Sequence, residues 1–107
     1  MGERYQMDGG TVVDTDNASA SWAEATRWDG HNHISMATGS QWDHQRLHRS
    51  RRGRYWIECT SQWQGRGPHA EWLSPQAACR WLLANGHDPE DDGFPDDLRG
   101  IVDQISE

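Results

Sequence analysis

A chain of 107 residues with 34% hydrophobic residues is long enough for one core and too short for two, so it reads as a single small domain. Seventeen acids against ten bases give a formal charge of -7, which excludes a protein that coats nucleic acid uniformly, and no stretch has the length and apolarity of a membrane span. Seven tryptophans stand against five leucines, so indole rings must supply apolar area that aliphatic side chains supply elsewhere.

In chain order, residues 1–17 are polar and glycine-bearing and read as a loose arm ending in a short edge strand at Val12-Val13. Met1 to Gln6 contain no apolar run of the signal-sequence kind, so the expected location is the cytoplasm, where Cys59 and Cys79 are most simply two buried thiols. Residues 18–73 read as a β-meander. Ser19 to Trp28 has two readings: Ser21 and Glu24 have capping-box spacing for a helix, while Trp22, Glu24, Thr26 and Trp28 alternate as in a strand. Strand is favoured, because Asp29-Gly30 is a two-residue turn signal and His33 to Gly39 alternates again. Pairing across that turn sets Ala25 opposite Ile34 and Ala23 opposite Met36, with Ile34 and Met36 on one side.

Gly39 to Asp43 leads into a central hairpin, His44 to Ser50 and then Tyr55 to Trp63, whose second arm has the cleanest alternation in the chain. A three-residue loop at Arg51-Arg52-Gly53, with Gly53 at positive φ, puts Leu47 opposite Ile57, Arg46 opposite Glu58 and His48 opposite Trp56. One face gains an apolar pair and the other an ion pair. Glycines and Pro68 stop the second arm, and His69 to Leu73 adds a further short strand. Residues 74–107 are helical: Ser74-Pro75 opens a helix that Asn85-Gly86 closes. After an acidic loop at 87–97, Pro95-Asp96-Asp97 opens a second helix, with Leu98, Ile101, Val102 and Ile105 at helical spacing. The expected fold is α+β, an antiparallel meander of three to five strands with one or two C-terminal helices packed on one face.

The run Ser61-Gln62-Trp63-Gln64-Gly65, followed by Ala77-Ala78-Cys79-Arg80-Trp81-Leu82-Leu83-Ala84-Asn85-Gly86, resembles small bacterial proteins of unassigned function. The resemblance covers the second half of the chain and implies no activity.

Five of the ten arginines fall between Arg46 and Arg54, and six acids fall between Asp88 and Asp97, so local fields matter more than the net charge. Arg46, His48, Trp56 and Glu58 share the face opposite Leu47 and Ile57, with Arg51, Arg52 and Arg54 at its end. Tryptophan and arginine are the residue types enriched at binding hot spots. The first reading is therefore a non-catalytic interaction or regulatory module, an adaptor or inhibitor, that binds a protein partner through this outer face and needs no cofactor. The alternative is a nucleic-acid binder whose arginines between 46 and 54 neutralise phosphates while Trp56 stacks a base. A third is a small metal-dependent protein: His31 and His33 share one strand face and His44 and His48 another, so four imidazoles converge if the strands adjoin. Asp88, Glu90, Asp92 and Gly93 fit part of a calcium-loop pattern, but Arg99 occupies the position that needs a bidentate glutamate. Cys59 with a histidine, or Ser61 with His69 and an acid, are catalytic combinations that nothing in the sequence pairs.

Overall fold

The computed structural model describes the chain apart from residues 1–3, 8, 29, 32, 37, 39–42, 62–66 and 106–107. Among the described residues the order is β1 (Arg4–Gln6), β2 (Val12–Asp14), β3 (Ala20–Ala23), β4 (Thr26–Trp28), β5 (His33–Ser35), β6 (Asp43–Arg49), β7 (Tyr55–Ser61), β8 (His69–Leu73), α1 (Pro75–Ala84) and α2 (Asp96–Ile105). The fold is α+β and every strand pairing is antiparallel.

β6 and β7 pair in the register that alternation requires: Leu47 faces Ile57, Arg46 faces Glu58 and His48 faces Trp56. Gly53 sits at φ 86°, and the Arg51-Arg52-Gly53 loop is closed by Ser50, whose backbone N–H donates to the Arg54 carbonyl at 2.7 Å. β8 extends the sheet on one side and β3 on the other, giving the order β3-β6-β7-β8. One face of this sheet carries the main core. Leu47, Tyr55 and Ile57 pack there with Trp22, against Ala78, Cys79 and Leu82 of α1 and Leu98 of α2. Ser74 caps α1, its hydroxyl accepting from the Ala77 backbone N–H at 3.1 Å, and Gly86 ends the helix at φ 79°. Side chains of the sheet tie it to the helical half: Trp22 donates its indole N–H to the Gly93 carbonyl in the loop before α2 at 2.8 Å, and the Tyr55 hydroxyl donates to the Asp97 carboxylate at 2.9 Å.

The strand region departs from a simple meander of three to five strands. Ser19 to Trp28 is extended but broken at Glu24, whose carboxylate turns inward to accept from the Gln45 backbone N–H at 2.9 Å, His44 Nδ1 at 2.6 Å and the Ser35 hydroxyl. The chain therefore leaves the main sheet after β3, forms a separate β4-β5 hairpin, and returns as β6 beside β3. That small hairpin pairs two positions away from the register that a two-residue turn at Asp29-Gly30 sets, Asp29 itself lying outside the described residues: Arg27 faces Ile34 and Trp28 faces His33. Ala25 then lies level with Met36, whose backbone N–H it accepts at 2.8 Å, and Ala23 pairs with Arg46 instead. Of Ile34 and Met36, only Ile34 is buried.

Residues 4–17 also differ from a loose arm. β1 and β2 form a hairpin whose Tyr5, Met7 and Val13 pack with Trp56 into a second, smaller core on the face opposite the helices. Thus both faces of the sheet are covered. Among the described residues no helix is long and apolar enough to cross a membrane.

Ile57 lies in the main core, whereas Thr60 is exposed on the other face. Ile57→Ala is expected to lower the unfolding free energy by about 2 to 4 kcal/mol, and Thr60→Ala by less than about 0.5 kcal/mol, as measured by urea denaturation.

Candidate functional site

The arginine turn is held firmly. The Ser50 hydroxyl accepts from the Arg54 backbone N–H at 3.1 Å, and the Ser19 hydroxyl bonds the Arg49 and Ser50 carbonyls at 3.1 and 3.2 Å. Its side chains divide between two directions. Arg49 turns to the helix side, with its guanidinium 6.0 Å from the Tyr55 ring and 4.0 Å from Asp97, so it leaves the cluster of cations. Burial, with Asp97 adding to it, pushes the Tyr55 hydroxyl well above its ordinary pKa, which keeps it a hydrogen-bond donor. Arg51, Arg52 and Arg54 face the opposite side and are exposed. Arg51 donates to the Asn17 side-chain oxygen at 3.0 Å, and the Arg54 guanidinium carbon lies over the Trp72 ring, 3.8 Å from its centroid. Neither Arg52 nor Arg54 pairs with a carboxylate among the described residues.

These three arginines form one wall of an open cleft of about 470 Å³, with Val12, Asn17 and Trp72 among its other lining residues. Val12 projects from β2 with 61% of its surface exposed, so the cleft combines an aliphatic wall with a cationic one. Sequence reasoning missed Val12, Asn17 and Trp72. Only Trp72 left a signal, since it sits opposite Trp56 once β8 is placed in register.

The outer face of the central hairpin is not a free surface. Trp56 is 1% exposed and His48 2%, because the β1-β2 hairpin lies over them. His48 stacks on Trp56 at 4.3 Å between ring centroids, and Tyr5 approaches the same indole at 5.9 Å. Glu58 has both oxygens engaged: Oε2 accepts the Tyr5 hydroxyl at 2.6 Å and Oε1 lies 3.0 Å from His48 Nε2. The expected Arg46–Glu58 ion pair is consequently absent among the described residues, although the two residues face one another, and Arg46 stands exposed. His48 Nδ1 meets the Ser21 hydroxyl at 2.6 Å. Of the expected contact residues, Arg46, Arg51, Arg52 and Arg54 are therefore accessible, while His48, Trp56 and Glu58 act inside the protein.

The histidines do not assemble. His31 and His33 belong to the β4-β5 hairpin, where His33 lies 5.0 Å from the Trp28 ring; His44 is held by Glu24 and His48 by Ser21 and Glu58. Among the described residues no group of three or more His, Cys, Asp or Glu side chains is arranged to hold a metal ion. In the acidic loop the Arg99 guanidinium takes the place of a cation, donating to the Pro89 and Asp91 carbonyls at 2.9 and 2.7 Å and pairing with Asp96. A second open cleft, of about 520 Å³, is lined by Cys59, Ser61, His44 and His69, but burial pushes the Cys59 thiol up and disfavours the thiolate that nucleophilic chemistry needs. No protein-family model, curated protein or solved structure matches the chain.

His48 gives the protein a pH dependence. Burial lowers its pKa below the ordinary 6.5, outweighing the opposing hydrogen bond and charge of Glu58, and the Arg46 charge adds to the lowering. The unfolded chain therefore takes up the proton first. Stability from neutral His48 is complete above about pH 6.5 and is lost as pH falls toward the lower folded value. Urea unfolding at intervals from about pH 7 down to pH 5 should show this decline, and His48→Gln should flatten it.

Proposed function

We propose that the protein is an interaction module that docks a carboxylate-bearing segment of a protein partner in the cleft between the arginine turn and β2. The observation that carries this reading is the exposure of Arg52 and Arg54, free of carboxylate partners among the described residues, across the cleft from the uncovered side chain of Val12. A bare cation pair beside an aliphatic wall suits acidic residues alternating with aliphatic ones. Arginine on a rigid turn is the side chain that grips carboxylates with two parallel bonds.

The aromatic residues favour a protein over a single-stranded nucleic acid. Base recognition by such binders needs an indole face open to stacking. Trp56 has His48 against it and is buried, while the Trp72 ring is covered by the Arg54 guanidinium. The charge of -7 also opposes a polyphosphate that would run beyond the cleft, whereas a short acidic segment meets the three arginines and, of the acids, only Asp14, which Arg4 already pairs.

Fluorescence anisotropy with labelled peptides and oligonucleotides at two salt concentrations tests the reading. Short peptides alternating Asp or Glu with Leu or Val are expected to bind at least about tenfold tighter than their Asn and Gln analogues, and Arg52→Ala with Arg54→Ala should cost about 2 kcal/mol or more. Tight binding of random oligonucleotides by the wild type, with a steep salt dependence, would assign the surface to nucleic acid instead.

A further inference from the structure

Three neighbouring strands bring a hydroxyl, an imidazole and a carboxylate into one line on the sheet face away from the helices. Ser21 lies on the edge strand β3, exposed, directly opposite His48 of β6. Its Oγ is 2.6 Å from His48 Nδ1, and His48 Nε2 is 3.0 Å from Oε1 of Glu58 on β7. The carboxylate on Nε2 selects the tautomer with its proton there, which leaves the Nδ1 lone pair facing the serine hydroxyl. Stacking on Trp56 at 4.3 Å fixes the ring plane, and the Tyr5 hydroxyl, 2.6 Å from Glu58 Oε2, fixes the carboxylate. This is the order of nucleophile, base and orienting acid used in acyl transfer, with the two imidazole nitrogens exchanged relative to the serine proteases.

We propose that Ser21 is an activated nucleophile that accepts an acyl group from small esters arriving from solvent, with His48 as the base and Glu58 as the positioning residue. The Ser21 Oγ bonds to the acyl carbon as its proton passes to His48 Nδ1. The bond from that carbon to the alcohol oxygen breaks, and the departing oxygen takes the proton. Water, giving a proton to the same nitrogen, then attacks the acyl carbon, and the serine recovers its proton as the carboxylic acid leaves. One ester and one water thus become one alcohol and one acid. Burial keeps His48 neutral and ready to accept a proton at pH 7. Arg46, exposed on the same face two residues along β6, adds positive charge near His48. None of these residues lines the cleft beside the arginine turn apart from the Trp56 support, so this inference stands independently of the docking reading.

A fluorophosphonate probe tests it, because its phosphorus bonds to an activated serine oxygen with loss of fluoride. Intact-mass analysis and peptide mapping should find one phosphonyl group on wild-type protein, at Ser21, and none at a comparable rate on Ser21→Ala. His48→Gln should label at least about 100-fold more slowly and Glu58→Gln about 10-fold more slowly. Since His48 is buried, a folding defect would imitate its effect, so the wild-type rate is also followed against pH. The groups facing His48 are Glu58 from β7, Arg46 from β6 and Ser21 from β3, with Tyr5 from β1 reaching Glu58 behind it. The rate should rise through one ionisation below about pH 6.5 and then level off. Adducts scattered over several serines, a wild-type rate equal to that of Ser21→Ala, or a rate that climbs steadily above pH 7 would each overturn the proposal.

Discussion

The register of β6 against β7 decides nearly everything else in this protein. Side chains alternate between the two faces of a strand, so a slip of one residue would send Leu47 and Ile57 to the side of the N-terminal hairpin and His48 and Glu58 into the helices. The three-residue turn prevents that slip. Gly53 accepts the positive φ that the loop requires, and the Ser19 and Ser50 hydroxyls hold the carbonyls and amide around it. With the register fixed, one face presents aliphatic and phenolic side chains to α1 and α2, while the other presents an imidazole, an indole and a carboxylate.

That second face is buried without being apolar. A carboxylate and an imidazole removed from water are costly unless each polar atom finds a partner. Here the partners come from both sides of the sheet centre: Ser21 from β3 satisfies Nδ1 of His48, Glu58 satisfies Nε2, and Tyr5 from β1 satisfies the remaining Glu58 oxygen. The N-terminal hairpin contributes Tyr5, Met7 and Val13 to the apolar part of the same contact. An isolated two-strand hairpin of this size is marginal in water, so its order depends on this combination of a hydrogen bond and an indole to pack against.

The difference between the legible and the illegible parts of the sequence follows from this arrangement. Local rules sufficed for the turn at Gly53, the cap at Ser74, the end of α1 at Gly86 and the spacing of Leu98, Ile101, Val102 and Ile105, because each is decided within one or two turns of chain. Alternation also separated the two faces correctly. It could not say that the polar face is covered, since His48 and Glu58 read as wet residues and the groups that let them be buried lie 27 and 53 residues away in sequence. The error at the β4-β5 turn has a different origin. The observed pairing is shifted by two from the expected one, which keeps every side chain on its original face and leaves the pattern of alternation unchanged.

Charge placement completes the logic. The acids that cluster between Asp88 and Asp97 do not form a uniformly repulsive patch. Arg99 binds the loop carbonyls and Asp96, while Asp97 accepts from Tyr55 and faces Arg49. These contacts draw Arg49 and Arg99 into the framework on the helix side, and they leave Arg51, Arg52 and Arg54 as the cations of the opposite cleft. The stack of Arg54 on Trp72 then limits the freedom of a side chain that otherwise has about 2 kcal/mol of rotamer entropy to lose. Under the proposed docking role, an acidic segment that meets this wall would find part of the ordering already done, so that a shallow cleft would suffice without a deep pocket.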